Sequence, residues 1–155
     1  MAFGSLSVKG RALRYLAQRE HSRLELERKL APHVADLPDA PAQAQIAAAL
    51  DELTARGLLS EQRVADSVLS SQVQRFGSRR LKQTLQAKGL PAEMVAQTLQ
   101  QARGTELERA REVWQRRFGR PAADATERAR QMHFLAGRGF DGDVIRRVVK
   151  ATDED

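Results

Sequence analysis

Fifty residues apart, two stretches of this chain carry the same pattern. With Gly89 set over Gly139, Arg80 meets Arg130, Leu85 meets Leu135, Lys88 meets Arg138, Leu90 meets Phe140, Glu93 meets Asp143, Val95 meets Ile145 and Leu99 meets Val149. A shift of fifty-five places Leu26 and Leu30 under Leu81 and Leu85, which makes the first section a third, more diverged copy with a longer loop. Repetition at this period means that each copy is one supersecondary unit, too small to bury its own apolar face, so neighbouring copies must stack. The pattern predicts an all-α protein of three tandem three-helix repeats, residues 1–59, 60–104 and 105–155, forming an elongated, curved solenoid. A short acidic tail, Asp153-Glu154-Asp155, ends the third repeat and is expected to stay solvated.

Caps and stops divide the repeats into about nine helices. The first, Val8 to Gln18, puts Val8, Ala12, Tyr15 and Leu16 on one face. Ser22 with Glu25 three residues on forms a capping box for a second helix to Leu30, closed by Pro32. Asp36 to Pro41 is a connection, and Ile46, Leu50 and Leu53 mark a third helix stopped at Gly57. Ser60 caps a fourth, with Val64, Val68, Leu69, Gln72 and Phe76, expected to run to Gly77. A fifth spans Ser78 to Ala87, with Leu81 and Leu85 inward and Gly89 as its stop. The sixth opens at Pro91, tolerated in a first turn, and buries Val95 and Leu99. The seventh, Thr105 to Arg117, places Glu106 and Glu108 where the helix dipole favours acids and buries Leu107, Ala110, Trp114 and Phe118. An eighth covers Asp124 to Ala136, and a ninth, capped by Asp141, buries Val144, Ile145, Val148 and Val149.

Chemistry is harder to find. Without cysteine there is no disulfide, no thiolate metal site and no thiol redox chemistry, which fits a reducing, cytoplasmic setting. No stretch approaches the ~20 apolar residues of a membrane span, and Met1 to Lys9 lacks an apolar run of signal-peptide length, so a protein neither secreted nor inserted is expected. Gly137-Arg138-Gly139-Phe140-Asp141-Gly142 matches the letters G-x-G-x-x-G, but a nucleotide-binding turn follows a strand, and here a helix precedes it. His21, His33 and His133 lack the spacing that sets ligands on one helical face, so no metal is expected. No nucleophile elbow, phosphate loop or Ser-His-acid set is present. The expectation is a protein that is no enzyme, holds no cofactor and takes no small-molecule substrate.

What remains is charge. The chain carries +6, and the middle section is the basic one, with 7 Lys and Arg against 3 Asp and Glu over residues 60–104. Arg75, Arg79, Arg80 and Lys82 surround the turn at Gly77, with Lys88 one helix later; Arg116, Arg117 and Arg120 cluster at the equivalent turn of the third unit; Arg128, Arg130 and Arg138 follow, with Arg146, Arg147 and Lys150 on the last helix. Any one of these arginines is read as solvated helical surface, but recurrence at equivalent turns points to a binding face for an anionic partner. Arginine's planar fork suits phosphate and carboxylate alike. Exposed rings for stacking bases are scarce: Phe76, Trp114, Phe118 and Phe140 sit at core-facing positions or a helix stop, and Tyr15 and Phe134 are left open. Leu81 to Leu99 also has the outline of a helix-turn-helix, yet Ala92 to Ala102 holds no Lys or Arg to grip DNA.

Four passages resemble the RecX family, bacterial regulators of the RecA recombinase: Ser22 to Leu30 (SRLELERKL), Leu53 to Ala65 (LTARGLLSEQRVA), Phe76 to Val95 (FGSRRLKQTLQAKGLPAEMV) and Arg128 to Val149 (RARQMHFLAGRGFDGDVIRRVV). With their order and spacing they cover about Leu6 to Ala151, and Phe-Gly-x-x-Arg-Leu and Arg-Gly-Phe-x-x-x-x-Ile are the specific ones. Val64-Ala65 stands where relatives have Phe-Ala, and Ala31-Pro32-His33 replaces their Lys-x-x-Gly stop. The resemblance implies three tandem three-helix repeats and binding along the RecA–DNA filament, damping filament growth, ATP hydrolysis, strand exchange and coprotease activity in DNA repair and the SOS response. The implied partner is the RecA filament, with DNA contacted weakly or indirectly, by a monomer. Charge and repeat position single out Arg75, Arg79, Arg80, Lys82, Lys88, Arg116, Arg117, Arg130, Arg138, Arg146 and Arg147 as its contact surface. The alternative is a helical-repeat DNA-binding protein that competes for single-stranded DNA.

Overall fold

A computed structural model describes residues 5–151, so the acidic tail Asp153-Glu154-Asp155 lies outside the described residues. Among these, nine α-helices follow in order: α1 (Val8–Gln18), α2 (Arg23–Leu30), α3 (Ala42–Ala55), α4 (Glu61–Gln72), α5 (Ser78–Ala87), α6 (Ala92–Arg103), α7 (Glu106–Arg117), α8 (Ala125–Gly137) and α9 (Gly142–Ala151). No strand occurs among the described residues; Leu37 and Ala40 form one isolated bridge that tightens the α2–α3 connection. The helices begin where local chemistry dictates. Ser22 and Glu25 close the capping box of α2, the Ser60 hydroxyl accepts from the Arg63 N–H, and Asp124 accepts from the Glu127 N–H. Gly89 and Gly139, equivalent in the repeat, both take the left-handed conformation, with φ of 72° and 84°, that releases carbonyls at a helix end. The G-x-G-x-x-G letters are therefore a helix end, Gly137 being the last residue of α8.

The chain forms two compact units, Met1–Ser67 with Lys88–Leu90, and Val68–Ala87 with Pro91–Asp155. In the first, Ala12, Leu26, Leu30, Ile46, Leu50, Leu53 and Leu59 form the core, with Val8, Tyr15 and Leu16 against it. In the second, Ala110, Val113, Trp114, Leu135, Phe140, Ile145, Val148 and Val149 pack together, and Leu81, Leu85, Val95 and Leu99 are buried on α5 and α6. Every apolar pair matched at the fifty-residue offset is buried on both sides: Leu85 and Leu135, Leu90 and Phe140, Val95 and Ile145, Leu99 and Val149. Removing that much apolar surface from water, at about 25 cal/mol per Å², is the main term holding these short helices.

One boundary differs from expectation. Helix α4 stops at Gln72, not at Gly77, and Val73 to Arg75 turn away. The cause is Arg109 on α7, buried to 7% exposure, whose guanidinium donates to the carbonyls of Val73, Phe76 and Ala102. The Val73 and Phe76 carbonyls are thus satisfied by a side chain instead of a further helical turn.

Candidate partner-binding face

The face grows from a joint between loops. The Gly77 N–H donates to the Arg138 carbonyl and the Arg79 N–H to the Gly139 carbonyl, both at 3.0 Å. A Cβ at Gly77 would stand 2.5 Å from Gly139 O and 2.6 Å from Phe140 N, so only glycine lets these backbones approach. Beside them Glu106, 3% exposed, accepts from the backbone N–H of Ser78 at 3.1 Å, the Ser78 hydroxyl at 3.0 Å and the Asp141 N–H at 3.2 Å. Its carboxylate caps the start of α5 and ties in the approach to α9. Glu61, the first residue of α4, does the equivalent in the first unit by accepting from the Arg23 N–H at the start of α2, at 2.8 Å.

This joint gathers arginines from sequence positions far apart. Phe76, half-buried, has the guanidinium carbons of Arg80, Arg75 and Arg138 at 4.1, 5.5 and 5.9 Å from its ring centre. Phe134 has Arg138 and Arg117 at 5.3 and 5.4 Å, and meets Phe118 edge-on with ring centres 5.5 Å apart. Arg138 thus stands over both rings, and a groove of about 310 Å³ opens between Gln74, Arg75, Arg116, Arg117, Arg138, Val113 and Phe134. No carboxylate lines it. Glu112 reaches Arg116 only at 4.0 Å with both side chains exposed, a pairing of little energetic consequence. Arg116 and Arg117 favour the C-terminal end of α7 electrostatically, but that accounts for two charges, not for four converging on one groove. Like charges brought together without counterions lower stability, and such violations of local economy mark functional surfaces.

Other expected contact residues are placed differently. Arg79, Lys82, Arg130 and Arg147 are exposed and make no ion pair among the described residues. Arg130 lies one helical turn before Phe134 on α8, on the same side as the groove. Arg146 pairs with Asp143 on its own helix. Lys88 is drawn into the first unit, where its ammonium meets Glu25 at 2.9 Å beside the Arg19–Glu25 pair at 2.7 Å. Burial opposes the Glu25 charge, but hydrogen bonds from Arg19, Lys88 and the Ser22 N–H prevail and hold its carboxyl at about 2. Phe76 and Phe134 are the residues that sequence reasoning underused. A Phe beside an Arg-rich turn in each of two repeats was the available signal.

A model of the third three-helix domain of RecX matches residues 105–149, and one of the second matches residues 60–99. A regulatory protein RecX of Leptothrix cholodnii is 55% identical over 150 residues, 97% of this chain and 92% of that protein. This chain belongs to the RecX family. A second RecX relative, from Ralstonia nicotianae, is 43% identical over 96% of this chain and 89% of its own length. The crystal structure of RecX from Lactobacillus salivarius shares the fold at a TM-score of 0.78, with 20% identity and 96% of each chain covered. The two RecX domains matched contain both sides of the Gly77–Gly139 joint, both capping acids Glu61 and Glu106, and every arginine of the groove. RecX relatives are named regulatory proteins, and no helix among the described residues is long and apolar enough to cross a membrane.

Proposed function

We propose that this protein is a negative regulator of RecA that binds RecA–DNA filaments and inhibits their growth, ATP hydrolysis, strand exchange and coprotease activity, within DNA repair and the SOS response. It acts in the cytoplasm as a monomer, through three repeats, residues 1–59, 60–104 and 105–155, that serve as successive contact modules. The observation that carries this reading is the arginine groove at the Gly77–Gly139 joint in a chain of the RecX family. Arg75, Arg79, Arg80, Lys82, Arg116, Arg117, Arg130, Arg138, Arg146 and Arg147 form the proposed contact surface. Lys88 contributes by fixing the turn after α5 against Glu25. Many modest charge-assisted contacts on one chain sum to a stable complex because each raises the effective concentration of the next.

The test is DNA-dependent ATP hydrolysis by preassembled RecA filaments, titrated with the protein and repeated with excess single-stranded DNA. Inhibition that survives the excess supports direct filament binding. Recovery of the rate with extra DNA supports competition for the strand instead, and no inhibition at all defeats the reading. Arg79→Glu with Lys82→Glu, both exposed and unpaired, is expected to weaken inhibition without lowering helicity.

A further inference from the structure

The groove at Arg75, Arg116, Arg117 and Arg138 is more selective than a basic surface. Its lining combines two apolar side chains, Val113 and Phe134, with Gln74 and four guanidinium-bearing side chains. A phosphodiester chain would satisfy the guanidiniums and leave the apolar side chains without a partner. For a stacking base the rings are already shared, Arg117 and Arg138 standing over Phe134, and Arg75, Arg80 and Arg138 over Phe76, which leaves less ring area than a flat base needs. A guanidinium stacked on a ring keeps its N–H edge directed outward and loses little further freedom when it binds a carboxylate in two-pronged fashion. At about 310 Å³ the groove is at the small end of ligand sites, enough for a few side chains and not for a folded element.

We propose that this groove is the receptor for an acidic protein segment in which carboxylates flank one aliphatic side chain. The carboxylates seat on Arg75, Arg116, Arg117 and Arg138, and the aliphatic group covers Val113 and the exposed side of Phe134. This deepens the filament-binding reading, on which it rests for its biological context, by naming the chemistry recognised: protein carboxylate plus apolar anchor, not nucleic-acid phosphate.

The experiment is fluorescence anisotropy on the full chain with a fluorescein-labelled peptide, Asp-Glu-Leu-Asp-Glu, against its Leu→Ser analogue and a labelled short oligothymidylate, at about 0.15 M salt. The Leu peptide is expected to bind, the Ser analogue several-fold more weakly, and the oligonucleotide more weakly still. Arg75→Glu with Arg117→Glu, both exposed, is expected to weaken the Leu peptide at least about tenfold at unchanged helicity and unfolding midpoint. Should that variant fail to fold, the ratio of Leu to Ser peptide on the unmodified protein still decides. Equal binding of the two peptides, tighter oligonucleotide binding that the double variant abolishes, or no peptide binding at all would each overturn the proposal. The filament reading fails separately, by absence of ATPase inhibition. Inhibition retained in full by the double variant, together with absent peptide binding, would sink the groove assignment alone.

Discussion

Glu106 holds Ser78 by two donors at once, the backbone N–H at 3.1 Å and the hydroxyl at 3.0 Å, from a site that is 3% exposed. The helix it caps belongs to the preceding repeat, and Glu61 repeats the arrangement toward Arg23. Glu106→Ala leaves the buried Ser78 N–H and the part-buried Asp141 N–H without an acceptor and is expected to cost about 3 kcal/mol. Glu61→Ala, at a half-exposed position that water can reach, is expected to cost about 1 kcal/mol. Urea unfolding of the two variants checks the ordering, and equal losses would contradict a buried cross-repeat cap.

Arg109 is the second buried charge of the same joint. Burial lowers its affinity for a proton, against the pull of Glu106, and its donors go to the carbonyls of Val73, Phe76 and Ala102, the last of which also accepts from the Thr105 N–H. Arg109→Lys keeps the charge and loses the planar fork, so it is expected to be destabilising by about 2 kcal/mol, with Arg109→Met no better. Hydrogen exchange should report where the damage lies, accelerating first at residues 73–77. Uniform acceleration over the second unit would show that the turn is not what Arg109 secures.

Two glycines, one before α5 and one at the end of α8, should behave in opposite ways. Gly77→Ala forces a methyl against the backbone of Gly139 and Phe140, and is expected to cost about 3 kcal/mol. Gly137→Ala meets nothing within 4 Å at the end of α8, and is expected to be neutral or to stabilise by up to about 1 kcal/mol. Thermal unfolding separates them, and comparable losses would mean that the close approach is not a constraint.

Acid should attack the first unit before the second. Buried His21 is held neutral, its proton affinity lowered chiefly by burial, with Nε2 accepting from Lys29 at 2.8 Å and Nδ1 donating to the Arg19 carbonyl at 3.1 Å. An ammonium can only donate and a carbonyl only accept, which fixes that tautomer. Both His21 and Glu25 have native affinities for a proton below their unfolded ones, so in each case the unfolded chain binds more protons as pH falls. The His21 contribution, present above pH 6.5, declines below it. The Glu25 contribution is complete above 4.5 and declines toward about 2, on the order of 2 kcal/mol in all. Glu25→Gln should flatten the stability curve between 4.5 and 2, and an unchanged slope there would refute the assignment.

Much of the fold was legible because its determinants are local. Ser22, Ser60 and Asp124 cap helices within three residues of themselves, Gly89 and Gly139 end them, and the apolar spacing named the buried side of α5, α6 and α9. The end of α4 is not legible locally because the residue that decides it, Arg109, is thirty-six positions from Val73. Phe76 reads as core by spacing, and half of it is; its other role depends on Arg75 and Arg80 nearby in sequence and on Arg138, which only the loop joint brings to it.

By itself the sequence determined that this chain is helical, repeated and without thiol chemistry, since propensity, capping and periodic burial act over a few residues and the fifty-residue offset is visible in the letters. Only the tertiary structure decided what the charges do. Lys88 and Arg138 are equivalent in the repeat, yet one is neutralised by Glu25 and the other stands between Phe76 and Phe134 at the head of an uncompensated groove. Long cationic side chains have many rotamers and no local preference among them. Which partner each one finds is set by the backbones that packing brings within a few ångströms, and no spacing along the chain encodes that.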